Sequence, residues 1–182
     1  MKRVILLVGH SCQKQGARSK SDIYGVTEYE INLSIARQVQ ENFFFEDEVD
    51  LILKTRKTNY KDLPEDLNSL NPGLIIEMHC NAVDKKVQGT EVLYWHTSKK
   101  SKKVAEILQS EFLKALELPD RGIKAIESIS ERGGFLLNKT KCTCVITEPF
   151  FIDVIKSLDL RFSVPLLSTA YTKSITEAIK IL

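Results

Sequence analysis

Apolar positions recur along this chain in two rhythms. The first is the short unbroken run. Val4 to Val8 and Leu74 to Met78 are apolar runs bounded by turn residues. Such runs predict strands buried on both faces, as in a parallel sheet. We place strands at Arg3–Val8, Val49–Lys54, Leu74–His79 and Cys142–Thr147. Gly89–His96 alternates and predicts an edge strand, and Gly134–Leu137 predicts a short extended piece.

The second rhythm is helical. Ile31, Ile35, Val39 and Phe43 recur at a spacing of four, with Leu33 and Ala36 beside them, and predict a helix over Glu28–Phe45. Thr27 is placed to cap it, and Glu30 three residues later completes a capping box. Asp62–Leu70 predicts a short helix stopped by Asn71-Pro72-Gly73. Lys102–Leu116 carries Val104, Ile107, Leu108, Phe112 and Leu116 on one face. A last helix is expected from about Pro165 to Leu182. A polar loop, Ser11–Tyr24, holds Gly16, Ser19 and Ser21. Alternating strands and helices predict an α/β fold: a mostly parallel mixed sheet flanked by helices, in one domain spanning 1–182.

Composition narrows the function classes. With 43% hydrophobic and 27% charged residues among 182, the chain reads as an ordinary soluble globular domain. No apolar run approaches the roughly 20 residues that cross a bilayer, so membrane insertion is not expected. Met1-Lys2-Arg3 and the apolar residues after it resemble the start of a signal peptide. That stretch ends at Gly9-His10 without a small-residue cleavage site, so a strand is the expectation and export by a leader is not. A net charge of +2 is too mild for nucleic-acid binding. Lys99, Lys100, Lys102 and Lys103 are expected on a solvated face. The four cysteines, Cys12, Cys80, Cys142 and Cys144, lack CxxC spacing and are expected as reduced, mostly buried thiols. A monomer is the expected state.

The chemistry lies at the strand ends. The chain has three histidines. Two of them, His10 and His79, each sit just past an apolar run. In an open α/β sheet the loops at the strand carboxyl ends line the binding crevice. Two imidazoles brought there from distant parts of the chain point to a metal site. A catalytic Zn²⁺ takes three protein ligands drawn from His and Asp/Glu and keeps one position open. Glu28 opens the first helix and can supply the carboxylate, with Glu30 as its rival two residues on. Glu148 ends the last strand and can serve as the proton-transfer group that amide hydrolysis needs. Glu77, inside a buried strand, is expected to meet a cation or to reach the crevice. His96, on the predicted edge strand, is expected at the surface.

Taken in order, the segments Gly9-His10, Glu28 with Asn32-Leu33, His79-Cys80-Asn81-Ala82, Gly89-Thr90-Glu91 and Glu148-Pro149-Phe150-Phe151 resemble the zinc-dependent N-acetylmuramoyl-L-alanine amidases of the amidase_3 type. The resemblance runs from residue 4 to about residue 180. It implies Zn²⁺ held by His10, Glu28 and His79, with Glu148 as the catalytic glutamate. Its register selects Glu28 over Glu30. It implies peptidoglycan as the partner and hydrolysis of the amide between N-acetylmuramic acid and L-alanine as the reaction. Asn81 and the stretch Arg132–Asn138, above all Arg132 and Asn138, are implied on the substrate side. Two departures stand out: Ser11-Cys12 where the family commonly has Gly-Gly, and Cys80 where it has a small residue. The setting this suggests is a phage or prophage endolysin, made in the cytoplasm and acting on the wall after release. The alternatives are a wall-remodelling amidase, another zinc peptidase or carboxypeptidase on the same fold, and a non-catalytic wall-binding module.

Overall fold

The computed structural model describes residues 1–20, 25–43, 49–57, 59–155 and 157–182. The predicted loop residues 21–24 and the predicted helix end at 44–45 lie outside the described residues. Six strands, β1 (Lys2–Val8), β2 (Val49–Thr55), β3 (Leu74–Met78), β4 (Thr90–Trp95), β5 (Asp120–Ile126) and β6 (Thr143–Glu148), form one sheet. Their spatial order is β2-β1-β3-β6-β4-β5. β1 pairs in parallel with β2 and β3, and β3 with β6. β4 runs antiparallel to β6 and parallel to β5. The sheet is therefore mixed but mostly parallel, as predicted, and the carboxyl ends of β1, β3 and β6 share one edge.

The alternation of side chains across the strands divides the core in two. Val4, Leu6, Val8, Leu74, Ile76 and Met78 face one layer. That layer is filled by α1 (Glu28–Asn42), α3 (Lys99–Leu116) and α5 (Ser157–Ala178). Ile5, Leu7, Ile75, Cys144 and Ile146 face the other, smaller layer. There the short helices α2 (Leu63–Asn68) and α4 (Gly134–Lys139) supply Leu63, Leu67, Leu136 and Leu137. Strands covered on both faces are mostly apolar, which is why β1 and β3 read as apolar runs, Glu77 of β3 excepted.

Three expectations need correction. β4 is not an edge strand: it lies between β6 and β5. The edge on that side is β5, a strand not predicted, whose charged and half-exposed residues give no buried face to read. The stretch Gly134–Leu137 is the first part of α4 and not extended. Its first turn is closed by the bond from Leu137 N to Gly133 O (3.0 Å), and a helix of six residues is too short to show a helical period. The last helix also starts earlier than predicted, with Pro165 inside it. No described helix is long and apolar enough to cross a membrane.

Candidate metal centre

The chain leaves β1, returns as β2 on one side and as β3 on the other. The gap beyond β1 and β3 is thus a point where strand order reverses, the place where open α/β sheets hold ligands. His10 follows β1 there and His79 follows β3. Backbone bonds fix both strand ends: Gly9 N to Met78 O (2.9 Å) and His79 N to Thr147 O (3.0 Å). His10 sits at a φ of 64°, a conformation a non-glycine residue rarely holds, which turns the chain sharply at the strand end.

Glu28 enters from the side. It is the first residue of α1, whose capping box is formed as predicted: Glu30 N donates to Thr27 Oγ1 (3.2 Å) and Thr27 N donates to Glu30 Oε2 (2.8 Å). The cap occupies Glu30 and leaves Glu28 pointing inward, 3% exposed. Glu28 Oε1 lies 2.7 Å from His79 Nδ1, and Oε2 lies 2.9 Å from His10 Nε2. Cys80 N donates to Oε1 (3.0 Å) and Ala17 N to Oε2 (3.3 Å). One ligand atom from each of His10, Glu28 and His79 falls within 4.8 Å of the others. Two glycines make this approach possible. A Cβ on Gly9 would sit 2.5 Å from His79 Cε1, and one on Gly16 would sit 2.5 Å from Glu28 Oε2. Two imidazoles and one carboxylate converging in this way could hold a metal ion, and they are donor types that zinc sites use.

Burial pushes the Glu28 carboxyl up, but hydrogen bonds from His10 and His79, and their charges, outweigh it and bring it to about 2. For His79, burial disfavours the charged ring, yet the Glu77 carboxylate and the bond to Glu28 hold its pKa well above the ordinary imidazole value.

Glu148 is the last residue of β6 and faces the same cleft, a cavity of about 340 Å³. Burial lifts its pKa to about 7, only partly opposed by the charges of His79 and Arg132. Its Oε2 is buried without a hydrogen-bond partner among the described residues. Beside it, antiparallel pairing brings Glu91 of β4 opposite Glu148. Glu91 Oε1 accepts from Asn81 Nδ2 (2.8 Å) and Arg132 Nη2 (2.6 Å), while Oε2 accepts from Arg121 Nε (2.8 Å). Arg132 Nη1 also donates to Asn81 Oδ1 (3.1 Å) and lies 3.6 Å from Glu148 Oε1.

The structure thus gathers His10, Glu28, His79, Glu148, Asn81 and Arg132 around one cleft. Asn138 is not among its lining residues; it is exposed on α4. Cys80 is buried, with its Sγ 3.7 Å from Asn32 Oδ1, and Cys12 is exposed. Neither belongs to the converging set. His96 lies outside the cleft, edge-on to Trp95. Sequence reasoning missed Arg56, Tyr60 and Arg121. Arg56 and Tyr60 follow β2 and line the cleft, with the Arg56 guanidinium 5.5 Å from the Tyr60 ring. Arg121 is the second residue of the unpredicted strand β5, so its route to Glu91 could not be traced.

The fold has close counterparts among solved structures. The catalytic domain of CwlV, an N-acetylmuramoyl-L-alanine amidase from Bacillus (Paenibacillus) polymyxa var. colistinus, is 21% identical, with a TM-score of 0.82 over 100% of both chains. An N-acetylmuramoyl-L-alanine amidase from Clostridium difficile 630 is 17% identical, with a TM-score of 0.84 over 98% of this chain and 97% of the other. The catalytic domain of the CD27L endolysin targeting Clostridia difficile is 22% identical, with a TM-score of 0.75 over 97% and 98%. No curated protein matches the sequence. The family model described as N-acetylmuramoyl-L-alanine amidase covers residues 4–180, and with that the chain belongs to the Amidase_3 family.

Proposed function

We propose that this chain is a zinc-dependent hydrolase of the amide joining N-acetylmuramic acid to L-alanine in peptidoglycan. The observation that carries the reading is the convergence of His10, Glu28 and His79 within 4.8 Å, in the cleft that Glu148 also faces. In this reading those three residues hold the metal. Bound zinc supplies Lewis acidity, polarising the amide carbonyl and acidifying water.

The rest falls to the chain. Glu148 accepts a proton from the attacking water as its oxygen adds to the lactyl carbonyl carbon. The carbon–nitrogen bond then breaks, and Glu148 returns the proton to the departing alanine nitrogen. Burial pushes this carboxyl up from its ordinary value, toward the range where it can both take and give that proton. Asn81 is engaged at both ends, to Glu91 and to Arg132, so its part is to fix Arg132 at the mouth of the cleft. Arg132 is half exposed and keeps free N–H groups for the substrate.

The setting in this reading is that of a phage or prophage endolysin. A wall-remodelling amidase would run the same chemistry without lysing cells. Digestion of purified peptidoglycan tests the reaction itself. The expected result is new L-alanine amino ends without new reducing sugars. Release of sugar reducing ends, or of C-terminal amino acids alone, would overturn it. Lysis of permeabilised cells then separates the two settings.

A further inference from the structure

Glu77 is a carboxylate on β3, 2% exposed, two residues before His79. The proton-transfer role proposed for Glu148 does not use it, and it is not in the converging set of three. Its Oε1 is buried and makes no hydrogen bond among the described residues, yet lies 3.4 Å from His79 Nε2. The other ring nitrogen, Nδ1, faces Glu28 Oε1 at 2.7 Å. The imidazole is therefore held between two buried carboxylates, one on each nitrogen. Glu28 lies on the side where His10 also converges. Glu77 faces the other ring nitrogen and lines the same cleft, and a Cβ on Gly9 would meet that Nε2 at 2.6 Å.

A neutral imidazole carries one N–H and one lone pair, and the partner of one nitrogen decides what the other can do. A carboxylate can only accept. From this placement we propose that Glu77 is a positioning residue for the metal: it accepts the His79 Nε2–H, and so fixes the tautomer that leaves the Nδ1 lone pair for zinc. Such carboxylate–histidine pairs raise ligand basicity and lock the ring's orientation, and their loss typically weakens metal binding by about 10–100-fold. The charge of Glu77 also joins those of Glu28 and Glu148 against the dication, Arg56 and Arg132 in the same cleft. The inference rests on the zinc reading above.

The test is zinc affinity, read by competition against a chromophoric chelator on the full chain, with far-UV circular dichroism to confirm folding. Wild type is expected to bind one zinc. Glu77→Gln keeps the shape and an acceptor oxygen but loses the charge, and should bind about 10-fold more weakly. Glu77→Met removes the acceptor as well, and should fall toward about 100-fold. Nitrogen-15 spectra of the zinc-loaded wild type supply a readout that needs no variant: His79 should carry its proton on Nε2 and bind zinc through Nδ1. If wild type binds zinc but both folded variants stay within about two-fold of it, or if Nε2 proves to be the metal-bound nitrogen, this inference is overturned and the zinc reading stands. Should Glu77→Met not fold, Glu77→Gln and the tautomer still decide. If wild type binds no zinc, the zinc reading falls and takes this inference with it.

Discussion

The two walls of the cleft hold their carboxylates in opposite ways. Glu28, on the wall built by β1, β3 and α1, is nearly surrounded by donors: two imidazoles and two backbone N–H groups. Glu148, on the wall built by β6 and β4, is just as buried but, among the described residues, has only Arg132 within ionic reach, at 3.6 Å. The first wall keeps its carboxylate ionised far into acid, at about 2; the second lets burial lift its carboxyl to about 7. A permanently charged group suits a metal ligand, and a group poised near neutrality suits proton transfer. Neighbouring donors, and not depth of burial, separate the two roles.

The largest effect should come from dismantling the first wall. His79→Ala and Glu28→Ala each remove one of three converging donors, and either is expected to lose bound zinc and all measurable peptidoglycan hydrolysis. Metal analysis and turbidity loss of purified walls check this. Chelation of wild type should mimic it, and added Zn²⁺ should restore activity. Full activity in thoroughly metal-free protein would end the comparison, because the first wall would then have no metal to hold.

Breaking the second wall should leave the first intact. Glu148→Gln keeps the volume and removes the ability to accept a proton. Zinc stoichiometry and fold should stay unchanged while hydrolysis falls by about 10²-fold or more. A variant that loses zinc would show that Glu148 is a ligand, and one that works at the wild-type rate would show that it is a bystander.

The contrast also has a pH signature. Glu28 has its pKa lowered from 4.5 to about 2 on folding. Its contribution to stability is therefore present above about pH 4.5 and is lost as pH falls toward 2. Glu148 has its pKa raised from 4.5 to about 7. Its contribution is fully present below about pH 4.5 and is lost as pH rises through 7. In metal-free protein, urea unfolding of wild type should lose up to about 1.4 kcal/mol per pH unit between pH 4.5 and 7 relative to Glu148→Gln. No difference in slope, or the reverse sign, would remove the tuning claimed for the second wall. In the zinc-loaded enzyme the dication favours the carboxylate form, so the limb of kcat/KM that rises with pH should lie below 7.

Much of this arrangement was legible in the residues. β1, β3 and β6 announce themselves because they are covered on both faces, and His10, His79 and Glu148 are attached to their ends. Thr27 and Glu30 mark the start of α1 to the residue, which places Glu28. What stayed hidden depends on tertiary pairing. Glu91 reads as the polar, outward position of an alternating strand. It is buried because β5 covers β4 and because Arg121 and Arg132 neutralise it. β5 has exposed or half-exposed residues along most of its length and no period to detect. α4 is too short to declare one. Glu77 could be seen as a buried carboxylate, but its approach to His79 Nε2 depends on how that ring turns at the end of β3.

The smallest effect should come from the carboxylate next to the first wall that takes no part in it. Glu28 and Glu30 are two residues apart at the start of one helix, a separation that turns their side chains to different faces. Glu30 is exposed and spends its carboxylate on Thr27, accepting from both its backbone N–H and its hydroxyl at 2.8 Å. Those bonds hold the Glu30 pKa below the usual carboxylate range, with burial a minor opposing effect. Glu30→Ala opens the capping box and leaves the Thr27 N–H to find another partner. Its expected loss is about 1 kcal/mol or less in urea unfolding. Zinc stoichiometry and hydrolysis should match wild type, because the inward path of Glu28 is also fixed by Glu28 N donating to Ala17 O (2.9 Å) and Ala17 N donating back to Oε2. If Glu30→Ala loses zinc while Glu28→Ala keeps it, the ligand and the cap have exchanged places, and the start of α1 must turn by two residues in the working protein.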